Sequence, residues 1–162
     1  MVKKIDLAPI AIVIGIAVVL QLVLIGVDCQ QTPDKIARNF AEAYYYIQPD
    51  MQDYVCPALI EDGAVSDYLY QKEQEAHQRG FSTNYLRRKF TELHLKAVDT
   101  GADTIKFHLE GITRTCINPA FMVIGKLFGI GRNYHVEGTI DLVKENGQWR
   151  VCGNPLDIKG QI

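Results

Sequence analysis

The segment from Leu7 to Val27 constrains this chain more than any other, because it is apolar except for Pro9, Gln21 and its glycines. As a helix, 21 residues extend about 31 Å, the hydrocarbon thickness of a bilayer. A helix that is apolar on every side is rarely the core helix of a small domain. The segment therefore reads as a transmembrane anchor over residues 7–27, behind a short N-terminus, 1–6, that carries Lys3 and Lys4. Basic residues stay on the cytoplasmic side, so the rest of the chain is expected in the periplasm or outside the cell. A cleaved signal peptide would have a shorter apolar core, of about 7–15 residues, and small residues at the cut. Lipid attachment at Cys29 would want a small residue before the cysteine, where Val27-Asp28 stands. Cleavage and lipidation are the alternatives to an uncleaved anchor.

The formal charge of −2 does not suit nucleic acid, whose binders concentrate basic surface. The run Arg87-Arg88-Lys89 is short and reads as a solvated rim. Four cysteines, Cys29, Cys56, Cys116 and Cys152, show no CxxC pairing, so neither a zinc site nor a thioredoxin-type motif is indicated. In an oxidising compartment they favour disulfides, with three connectivities open.

After a linker over 28–31, "TPDKIARNFAEAYYYIQP" is marked as a helix, with Thr32 to cap it, Pro33 in its first turn and Pro49 to close it. Ile36, Phe40, Ala43, Tyr44 and Ile47 recur at helical spacing as one apolar face. So short a link places the domain close to the lipid surface. More helix follows, broken near Pro57 and Gly63 and ended by Gly80. Val65, Tyr68 and Leu69 form its buried stripe, and Lys72 to Gln78 read as solvated surface.

From Phe90 the period changes to two. Leu93, Leu95 and Ala97 share one face, as do Ile105, Phe107 and Leu109, and then Val136, Ile140 and Leu142. Asn146-Gly147 is a strong hairpin signal and sets Leu142 opposite Val151 and Lys144 opposite Trp149. Helices first and then about four antiparallel strands with one apolar face predict an α+β domain, with the helices covering a curved sheet.

On the opening helix "PDKIARNFAEAYYYI", the helix-then-meander order and the closing "ENGQWRVC", residues 32–156 resemble the nuclear-transport-factor-2-like (cystatin-like) superfamily. Within it they look like small exported domains tethered by an N-terminal membrane helix. The resemblance implies a cone between helices and sheet, followed here by a tail over 157–162. It also implies a disulfide between Cys56 and Cys152, worth about 4–5 kcal/mol for so long a loop. Strict alternation from Trp149, however, places Cys152 on the face away from the helices, so a twist or bulge beside Gly153 would have to turn it inward.

The superfamily includes isomerases and dehydratases that place proton-transfer groups inside the cone, within hydrogen-bond reach of the substrate. The inward strand positions here include no such group, and Tyr44, Tyr45 and Tyr46 could offer a hydroxyl from the helix. No catalytic residue, cofactor or metal is assigned. A three-residue loop would set His94 opposite His108, but two histidines on a wet sheet face are better read as surface.

The departure from the family pattern is an apolar insertion over 118–133, in which Phe121, Met122, Ile124, Leu127, Phe128 and Ile130 are candidate contacts. It completes the core, meets a partner protein or second copy, or touches the bilayer. The sequence thus leads to a non-catalytic, membrane-anchored binding or assembly module, a subunit or scaffold of a membrane-protein complex or a homo-oligomer. The alternative is a pocket for a small apolar ligand or lipid. An isomerase or dehydratase is the third reading.

Overall fold

The computed structural model describes residues 13–21, 31–116 and 132–153. The chain divides into two units, Met1–Gln31 and Thr32–Ile162. In the first, helix α1 runs over the described residues 13–21, and Val13, Ile14, Ile16, Val18, Val19 and Leu20 are all exposed along it. No helix among the described residues is long and apolar enough to cross a membrane. Residues 7–12 and 22–27 of the expected anchor lie outside that description.

The second unit is α+β. Helices α2 (Pro33–Tyr46), α3 (Pro57–Glu61) and α4 (Ala64–Gln78), with 3-10 turns at Pro49–Tyr54 and Thr83–Tyr85, precede four strands. These are β1 (Arg88–Thr100), β2 (Thr104–Thr115), β3 (Asn133–Glu145) and β4 (Gln148–Cys152). They form one antiparallel sheet in the order β1-β2-β3-β4. Short connections join β1 to β2 and β3 to β4, as antiparallel neighbours allow, whereas residues 116–132 connect β2 to β3. At the β3–β4 turn Asn146 and Gly147 both take positive φ, 52° and 82°, as a two-residue hairpin requires. Leu142 pairs with Val151 and Lys144 with Trp149, as the alternation predicted.

Helix α2 starts where the Thr32 hydroxyl accepts the backbone N–H of Lys35 and Pro33 supplies a preset φ. It ends one residue earlier than its apolar spacing suggests. Ile47 turns left-handed, at φ 56°, while its N–H donates to Tyr44 and that of Gln48 to Ala43. A β-branched residue pays for this conformation in strain of about 1–3 kcal/mol, held here by burial of the side chain and by Pro49 two residues on.

The core lies between α2 and the inward face of the sheet. Ile36, Ala37, Phe40 and Ala41 meet Phe107, Leu109, Val136, Ile140, Leu142 and Val151 in one buried cluster. Each large side chain closed off from water there contributes about 1.5–3 kcal/mol. Two expectations change. Tyr45 is more deeply buried than Tyr44, because α2 is covered on more than one side. Ala97 keeps the face of Leu95, opposite Phe107, but is exposed there.

A second register shift, between Phe90 and Glu92, lies beside Gly111. A Cβ at Gly111 would sit 2.6 Å from the Glu92 carbonyl oxygen and 2.9 Å from the Phe90 ring. The bulge therefore depends on a missing side chain, which lets Phe90 lie flat over the strand behind it.

Candidate functional site

Where the ends of α2 and α4 meet the ends of β1, β2 and β3, the fold leaves a pocket of about 410 Å³. Its lining includes Tyr44, Tyr45, Tyr68, Tyr85 and Tyr134, with Lys72, Glu75, Arg79 and Arg88 among them. The tyrosines arrive from separate elements. Tyr44 and Tyr45 end α2, Tyr68 stands on α4, and Tyr134 begins β3. Tyr44 and Tyr68 stack at 4.5 Å between ring centroids, and the Tyr68 hydroxyl donates to the Tyr44 carbonyl at 2.9 Å. Tyr45 stands edge-on to Phe90 at 5.0 Å, so the ring released by Gly111 supports the pocket wall.

The charged groups follow the helical period of α4. Glu75 binds both Lys72 and Arg79 at 2.8 Å, three residues before it and four after it. The Lys72 hydrogen bond is the largest cause holding the Glu75 carboxyl below its usual range. Arg88 comes from the start of β1 and lies over the Tyr134 ring at 4.2 Å, a cation–π contact. Three cations against one carboxylate leave the pocket with two positive charges.

Burial pushes the Tyr44, Tyr45 and Tyr68 hydroxyls up, and it is the largest cause for each. Neighbouring phenols raise Tyr45 and Tyr68 further, whereas Arg88 draws Tyr45 down. Tyr45 is 8% exposed, and its hydroxyl is closed off from solvent without a hydrogen-bond partner. Raised native values mean that these groups support the fold fully below the unfolded tyrosine pKa, about 10, and lose that support as pH rises above it. Phenolate absorbance of Tyr44, Tyr45 and Tyr68 should therefore appear together with unfolding, and Tyr45→Phe should flatten the alkaline loss of stability. An unchanged slope between about pH 10 and 12 in that variant would contradict the assignment.

The shifted groups of the pocket lie away from the neutral range. A general acid or base works best with a pKa near the working pH. Glu75 is shifted below that range and the buried phenols above it.

The other sequence-derived residues fall elsewhere. Cys56 and Cys152 form a disulfide, with Cα atoms 5.3 Å apart. Cys152 needs no inward turn. Val55 pairs with Val151 as an added parallel bridge, and the Cys56 N–H donates to the Val151 carbonyl at 2.9 Å. Cys56 thus comes alongside the sheet edge, and the bond runs sideways rather than through the core. Phe121, Met122, Ile124, Leu127, Phe128 and Ile130 lie outside the described residues.

His94 sits opposite Glu110, and His108 opposite Lys96, so the two histidines are not directly paired. The register is set at the turn, where Thr100 pairs with Ile105, and the shift between Ala97 and Asp99 makes up only part of the offset. His108 instead lies 3.5 Å from Glu137. A cluster of Cys56, Glu145 and Cys152 has metal-like spacing among the described residues, but both sulfurs are committed to the disulfide.

The sequence reading missed Lys72, Glu75, Arg79 and Arg88. Lys72 and Glu75 are half-buried and Ala76 is fully buried, so this part of α4 is not a solvated surface. Arg87 and Arg88 are half-buried too, each over a tyrosine ring, which replaces the expected rim. The signal was the continuation of the Val65–Tyr68 stripe through positions 72, 75, 76 and 79.

Compared with known proteins, the chain matches no family model, no curated protein and no solved structure.

Proposed function

We propose that this chain is a membrane-tethered, non-catalytic binding module whose exported domain houses a small ligand in the tyrosine-lined pocket. The observation that carries the reading is the pocket itself: about 410 Å³, walled by aromatic rings from several elements, with a few charged groups at defined positions. Ligand sites commonly have this size, and here polar and charged groups share the lining about equally with apolar surface. The order of helices before a four-stranded meander, tied by Cys56–Cys152, supports a nuclear-transport-factor-2-like architecture in which ligands enter between helices and sheet. The exposed apolar side chains of α1 support the tether, since water is an unfavourable surrounding for such a surface.

The ligand reading takes precedence over a subunit or scaffold role. The latter draws on the apolar insertion, whose contact candidates lie outside the described residues. A screen of small aromatic compounds by NMR, on isotope-labelled full chain in a neutral detergent, tests the pocket. Shifts should concentrate on Tyr44, Tyr68, Phe81, Tyr85 and Tyr134. Shifts scattered over the outer sheet face, or none at all, would remove the reading. Resistance of the full chain to alkaline extraction from membranes tests the tether, and release into the supernatant would count against it.

A further inference from the structure

We propose that the pocket selects a small organic carboxylate, with the carboxylate seated on the Arg88 guanidinium and the apolar body lying against the tyrosine rings. The inference rests on the pocket being a binding site and names what that site prefers.

Two independent features lead to it. The first is a cation without a close ion pair. Glu75 serves Lys72 and Arg79 at 2.8 Å each, its electrostatic link to Arg88 is the weakest of the three, and Arg88 has no carboxylate within ion-pair distance among the described residues. Arg88 is also half-buried, so water compensates its charge less than it would at the surface. Its guanidinium carbon lies 4.2 Å from the Tyr134 ring centroid, and its N–H donors form a planar fork. Those donors match the two oxygens of a carboxylate in a planar, bidentate pair.

The second feature is the charge balance of the lining: Lys72, Arg79 and Arg88 face a single carboxylate, Glu75, so an anionic guest is favoured over a neutral one. A neutral ligand would leave Arg88 unpaired. A second carboxylate on the ligand would meet Glu75.

The test compares 1-naphthoate with its neutral isostere 1-naphthamide, by isothermal titration of the full chain in neutral detergent with micelle blanks subtracted. Naphthoate should bind one to one, about ten-fold or more tighter than the amide, the range for a charge-assisted hydrogen-bonded pair. Arg88→Gln should erase that preference and leave amide binding nearly unchanged, and Arg88→Lys should restore part of it. Arg88→Lys decides the matter if Arg88→Gln fails to fold, since it keeps the charge and removes the planar fork, and the preference should then fall without vanishing. Equal binding of the two compounds, or a preference untouched by both variants, overturns the carboxylate assignment and leaves the pocket standing. Failure of both compounds to bind removes the pocket reading together with it.

Discussion

Replacing Cys56 and Cys152 together by alanine is expected to cost about 2–5 kcal/mol of stability, the largest effect of any change outside the core. The two residues are 96 positions apart, and closing so long a loop removes much of the freedom of the unfolded chain. The native side adds a second contribution. The sulfur bridge holds Val55 beside β4, where the Cys56 N–H meets the Val151 carbonyl and an Arg150 N–H donates to the Val55 carbonyl at 3.2 Å. Without the bridge this lateral pairing should loosen before the rest of the sheet. Denaturant midpoints of wild type and the double variant, each with and without reductant, provide the measurement. Reductant should lower the wild-type midpoint to that of the variant and leave the variant unmoved. A wild-type midpoint insensitive to reductant would show that the bond contributes nothing.

Phe40→Ala should cost about 3–5 kcal/mol, the usual range for deleting a large buried aromatic side chain. Phe40 is 1% exposed in the middle of α2, and it belongs to the cluster that joins this helix to the sheet. Its ring also lies 6.1 Å from that of Tyr44, one turn further along. The cavity should therefore reach the pocket, loosening the Tyr44–Tyr68 stack as well as lowering the unfolding midpoint. Near-ultraviolet circular dichroism reports the stack, and chemical unfolding reports the stability. A loss below about 1 kcal/mol would mean that the site had refilled and that α2 is less rigidly held than its burial implies.

The parts of the fold that were legible beforehand rest on local signals. Thr32, Pro33 and Asn146-Gly147 act through their own backbone preferences, and the alternation in β2 and β3 reflects a single buried face. The register of β4 followed because a two-residue turn leaves no freedom. Bulges have no such signature. The shifts near Phe90 and Ala97, and the Thr100–Ile105 pairing that sets His94 out of register with His108, each depend on what the neighbouring strand allows.

The pocket was harder still to read. Lys72, Glu75 and Arg79 have the same spacing that a solvated helix surface would show. They become a site because elements distant in sequence, the start of β1 and the beginning of β3, close around them. Cys152 illustrates the converse. Its face was read correctly, but its partner reaches it from the side, along an edge that no pattern within β4 could reveal.

Gly111 gives this arrangement a rear entrance. Any side chain there would press upon Phe90, and Phe90 is the support behind Tyr45. A substitution on the far strand, without touching one atom that a guest would meet, could thus retune which guests are welcome. Evolution or a protein engineer could adjust preference from behind the wall, leaving the chemistry of the chamber's surface as it was.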